Sequence, residues 1–120
     1  MKGSDRFFVE GVACRINGLS WPVANVSVGG LFVATDFALM VGQVIELELI
    51  LQDRPPFRVL AKVTWLNDPA EPKAPDLPRG FGFHITRIGL ADKLAIVDLL
   101  KRTPPAALRE RRHDHGPEHG

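Results

Sequence analysis

The sequence predicts a mainly β domain in which six short antiparallel strands form a small barrel or sandwich, followed by one α-helix. Three observations point there. From residue 7 to residue 87 apolar and polar residues alternate with period two, the signature of strands with one wet face. Turn residues cut that stretch into short runs joined by close connections. Beyond it the spacing changes to four, three and three at Leu90, Leu94, Val97 and Leu100, which is one face of a helix.

Taken in order, Val12, Cys14 and Ile16 alternate with Ala13 and Arg15 in the first strand. Asn17-Gly18, a strong hairpin signal, leads to a second run at Trp21–Val26. A third short run is Leu31–Ala34. Gln43–Leu51 has the clearest alternation, with Ile45, Leu47, Leu49 and Leu51 facing one way and Glu46 and Glu48 the other. Asp53–Pro56 connects it to a fifth strand, where Phe57, Val59, Ala61, Val63 and Trp65 are opposed by Arg58, Lys62 and Thr64. Residues 68–79 hold four of the ten prolines and read as a surface loop, because proline cannot donate to a sheet ladder. Phe81, Phe83 and Ile85 make the sixth strand. In the helix Asp92 lies near the start and Lys101 and Arg102 at the end, matching the macrodipole, and Pro104-Pro105 stop it. Its stripe is expected to pack on the sheet. Residues 1–6 are expected to form a flexible N-terminal segment, 7–102 the folded domain, and 103–120 a disordered, charge-balanced tail.

Composition bounds the function. At 120 residues and 45% hydrophobic content the chain is the size of one globular domain. A net charge of +1 argues against a broad duplex-DNA footprint, and no nucleic-acid partner is expected. No apolar run approaches a membrane span, and MKGSDRFFVEG lacks the apolar region of a signal peptide, so a soluble cytoplasmic protein is expected. The single Cys14 alternates with core residues and reads as a small buried hydrophobe. His113, His115 and His119, with Arg109, Arg111 and Arg112, read as a solvated tail, so no metal site is assigned. Trp21 and Trp65 read as core or rim packing, with base stacking as the secondary reading, and His84 as a wet-face or rim residue. No phosphate-loop signature or paired carboxylates support an enzyme, so no catalytic residue and no cofactor are assigned.

The informative segment is Val23–Thr35. Asn25, Ser27 and Gly30 fall in the spacing N-x-S-x-x-G, with Gly29 beside Gly30. Asn25 supplies an amide that donates and accepts, Ser27 supplies a rotatable hydroxyl, and the glycine pair lets backbone N–H groups approach an anion. A polar turn between two strands would use the same residue types.

Together with Val41–Leu47, Ala61-Lys62-Val63-Thr64-Trp65, Gly80-Phe81-Gly82-Phe83-His84-Ile85 and the helix at 90–102, this segment resembles the PilZ domain family over residues 2–102. The resemblance implies a six-stranded antiparallel PilZ-like β-barrel with a C-terminal helix, acting as a receptor for cyclic di-GMP. It implies ligand contacts from Asn25, Ser27, Gly29 and Gly30. The family's first motif, R-x-x-x-R, is met here by Lys2-Gly3-Ser4-Asp5-Arg6, which places Lys2 and Arg6 on the ligand and replaces one guanidinium with an ammonium. An ammonium meets a phosphate as a point charge and lacks the bidentate fork of arginine. The implied function is a signalling adaptor that passes nucleotide state to an unidentified protein partner. The alternative is a degenerate PilZ-like interaction module that does not bind nucleotide.

Overall fold

The computed structural model describes residues 7–103. Lys2 and Arg6, the 1–6 segment and the tail histidines and arginines lie outside the described residues. The elements are β1 (Phe7–Phe8), β2 (Ala13–Ile16), β3 (Leu19–Val26), β4 (Gly30–Ala34), β5 (Val44–Ile50), β6 (Phe57–Asn67), β7 (Gly80–Arg87) and α1 (Leu90–Lys101).

Hydrogen bonding runs β3-β2-β5-β6-β7-β4 and returns from β4 to β3, so six antiparallel strands close into a barrel. Closure leaves those six strands without an open edge. β1 is an addition to this frame, pairing antiparallel with the far end of β3 through Phe7↔Val26 and Phe8↔Asn25. The Asn17-Gly18 turn joins β2 to β3 with both residues at positive φ (52° and 81°), as a type I′ hairpin requires.

The inward residues build the core as the alternation predicts. Cys14, Ile16, Val23, Leu31, Val33, Leu47, Leu49, Val59, Ala61, Val63, Phe81 and Phe83 are buried together. Each large aliphatic or aromatic side chain so placed contributes about 1.5–3 kcal/mol relative to exposure. Phe37 and Leu39, in the segment between β4 and β5, pack against the same core.

The helix departs from expectation in its facing. Ile96 and Leu100 are buried and Leu99 packs against the core, whereas Leu90 and Leu94 are exposed. The four-three-three stripe therefore marks the wrong side of the first two turns. Extended Gly89 starts the helix directly after β7, and the buried positions fall in its C-terminal half. Ion pairs tie the helix to the β5–β6 turn: Arg54 with Asp92 at 2.9 Å, and Arg102 with Asp53 at 3.4 Å. Thr103 closes the helix end, its hydroxyl donating to the Leu99 carbonyl at 2.9 Å.

The 68–79 loop is anchored by one side chain that the sequence pattern did not single out. Asn67, 1% exposed at the end of β6, donates from its amide nitrogen to the carbonyls of Ala74, Leu77 and Pro78 and accepts from the N–H groups of Lys73 and Ala74.

Candidate functional site

Two β-bulges shape the outer wall. In β6 the register steps from Val63↔Phe83 to Trp65↔Gly82, so Thr64 and Trp65 together face one residue of β7. Simple alternation puts Trp65 inside with Val59, Ala61 and Val63. The extra residue reverses that, because a bulge adds one position to one strand and flips the side chains beyond it. Trp65 therefore leaves the core and lies on the outer wall, its ring 5.3 Å from that of Phe32 at an interplanar angle of 38°. In β3 a matching step between Val23 and Asn25 turns the Asn25 side chain outward while Val23 and Val26 both stay in the core.

Four strands thereby contribute one outward-facing row, Asn25 on β3, Phe32 on β4, Gly82 on β7 and Trp65 on β6, each paired with the next. The neighbouring row contains Gly30, His84 and Lys62. The first row, with Gly30 and His84 of the second, floors an open cleft of about 500 Å³ lined by Asn25, Ser27, Gly29, Gly30, Leu31, Phe32, Thr64, Trp65, Gly82, Phe83 and His84. Its size falls within the range of small-ligand sites. No carboxylate is among those lining residues, which suits an anionic ligand. A second concavity of about 630 Å³ carries Arg15, Arg58, Glu46 and Glu48, and there the Arg15–Glu48 ion pair already balances charge.

The structure brings the four described candidates together. Asn25 is 5% exposed at the cleft floor. The Ser27 N–H donates to the Gly30 carbonyl at 2.8 Å, closing the turn, and its hydroxyl lies 3.4 Å from the same oxygen, a weak bond that leaves it available to a ligand. The Gly29 carbonyl accepts from the Ile85 N–H at 2.8 Å. Both glycine carbonyls are thus engaged in backbone bonds.

Among the cleft residues, close packing depends on glycine at two places. A Cβ on Gly30 would stand 2.4 Å from the Phe83 carbonyl oxygen, so β4 and β7 meet there only because the side chain is absent. A Cβ on Gly82 would lie 1.9 Å from the Trp65 indole nitrogen, so this position lets the indole lie flat against the wall. Thr64 donates to the Gly82 carbonyl at 3.1 Å and fixes the bulge.

Sequence reasoning missed Phe32, Thr64 and Gly82, and gave base stacking by Trp65 only second place to core or rim packing. The signal available for them is the glycine alternation in Gly80-Phe81-Gly82, which leaves the outer face of that strand without side chains. Cys14 is fully buried in the core, and burial pushes its thiol up to about 12.

The sequence profile of the PilZ domain matches residues 7–102. The chain belongs to the PilZ domain family. The fold is shared with solved structures of low sequence identity. An uncharacterized protein of Legionella is 16% identical with a TM-score of 0.57, covering 90% of this chain and 97% of its own. The Bacillus subtilis inhibitor of motility MotI/DgrA is 18% identical with a TM-score of 0.55, covering 98% of this chain and 51% of its own. No protein of curated function matches the sequence. Among the described residues of this PilZ domain, no helix is long and apolar enough to cross a membrane.

Proposed function

We propose that this PilZ domain is a cyclic di-GMP receptor and signalling adaptor, with the ligand held in the cleft on the barrel's outer wall. One observation carries the reading: the N-x-S-x-x-G residues and the entry of the N-terminal chain converge on the same cleft. β1 pairs Phe8 with Asn25 and Phe7 with Val26, the residue before Ser27. The chain that bears Lys2 and Arg6 therefore joins the barrel beside the polar lip.

In this reading Asn25 and Ser27 hydrogen-bond the polar edges of the nucleotide, and the half-buried Trp65, backed by the buried Phe32, offers an aromatic surface to a guanine. Arg6 grips a phosphate bidentately and Lys2 supplies a point charge. The bound state fixes the N-terminal segment over the cleft and changes the surface shown to a protein partner. The site acts by binding and makes or breaks no bond.

The test is calorimetric titration of the full chain with cyclic di-GMP at low and physiological salt. Saturable binding is expected, and Arg6→Ala should weaken it by about 1.5–3 kcal/mol, the worth of a hydrogen bond to a charged group. Absence of heat at both salts would leave the non-nucleotide interaction module as the function. A wild-type response from Arg6→Ala would reject the assignment of that residue.

A further inference from the structure

We propose that Lys62 and His84 form a second anion contact on the barrel wall, one that holds a phosphate of the ligand and offsets the missing first arginine. The inference rests on the nucleotide reading above and names residues outside the N-terminal and N-x-S-x-x-G motifs.

The two side chains are directly opposite each other across β6 and β7, in the stretch of regular pairing from Ala61↔Ile85 to Val63↔Phe83. Residues so placed have Cβ atoms roughly 4.5–5.5 Å apart. Both are exposed on the outer wall. Neither forms an ion pair with a carboxylate among the described residues.

His84 lines the cleft at the glycine turn, and Lys62 stands beside it on the next strand. His84 is opposite Gly30 in the ladder, and its Cε1 and Nδ1 lie 3.8 and 3.9 Å from where a Cβ of Gly29 would stand. At that turn the Gly29 and Gly30 carbonyls are engaged, whereas the N–H groups of Val28 and Gly29 donate to no other described residue. Backbone donors and an imidazole N–H that donates in either ionisation state thus meet at the turn, and a lysine stands across the ladder from that imidazole. A phosphodiester is the ligand group that uses all three.

The experiment is titration of the full chain with cyclic di-GMP at low and physiological salt, comparing wild type with Lys62→Gln, Lys62→Arg and His84→Ala. Both positions are exposed, so melting temperatures should be unchanged and serve as the folding control. Lys62→Gln and His84→Ala should each weaken binding about three- to tenfold, the effect of one charge-assisted contact discounted for exposure. Lys62→Arg should restore it, and Lys62→Gln should flatten the salt dependence. Wild-type affinity in both Lys62→Gln and His84→Ala, with the wild type binding, overturns this inference alone. A wild type that does not bind overturns the nucleotide reading and the phosphate contact together.

Discussion

Replacing Asn67 tests how the proline-rich loop between β6 and β7 is held. Its amide makes three donor contacts at 3.0–3.1 Å and two acceptor contacts at 2.9–3.0 Å, all to the backbone of the proline-rich loop. The amide nitrogen shares two hydrogens among its three carbonyls, so two donor and two acceptor bonds at about 1 kcal/mol net each give a gross loss of about 4 kcal/mol in Asn67→Ala. Water can reach much of the loop, since Lys73 and Pro78 are exposed, and recovers part of that. A net cost of about 2–4 kcal/mol follows, which lowers the melting temperature of a domain this size by at least ~10 °C. Asn67→Asp should be at least as damaging at neutral pH, because an anionic oxygen would then face three carbonyl oxygens. Protonation returns one donor, so its deficit should shrink as the pH falls. Thermal melting supplies the magnitude, and the rate of tryptic cleavage after Lys73 reports release of the loop. If Asn67→Ala melted within about 2 °C of wild type, less than half a kcal/mol, the loop would owe its order to something other than this side chain.

Two further tests separate scaffold from site. Gly30→Ala should cost about 1–3 kcal/mol in a melting experiment, because its methyl meets the Phe83 backbone at 2.4 Å, whereas Gly29→Ala makes only ordinary contact with His84 and should melt like wild type. Cys14 should resist thiol reagents at pH 8 until denaturant is added. Its thiol is raised from 9.0 to about 12 by burial, so above about pH 9 the unfolded chain ionises while the folded one keeps its proton. Stability should therefore fall with rising pH between those values, and Cys14→Ala should lose that contribution to the slope in denaturant titrations.

Much of the fold is legible along the chain because the determinants are local. Alternation in Gln43–Leu51 assigns the inner and outer faces of β5, Asn17-Gly18 sets the β2–β3 hairpin, and Pro69, Pro72, Pro75 and Pro78 exclude a strand. The polar lip of Asn25, Ser27, Gly29 and Gly30 is legible for the same reason, since all four lie within six residues. The helix facing is not, because Leu90 and Leu94 have the right period and no surface opposite them.

What needed the closed barrel was the floor of the cleft. Trp65 carries the alternation of a core residue, and only pairing with β7 reveals the bulge that turns it outward onto Phe32. Lys62 and His84 are separated by 22 positions along the chain and become neighbours only through the β6–β7 register. Local preference sets which residues form strands, but which side chains share a surface depends on the count of residues between paired positions. A single added residue in one strand changes that count without leaving a mark in hydrophobicity.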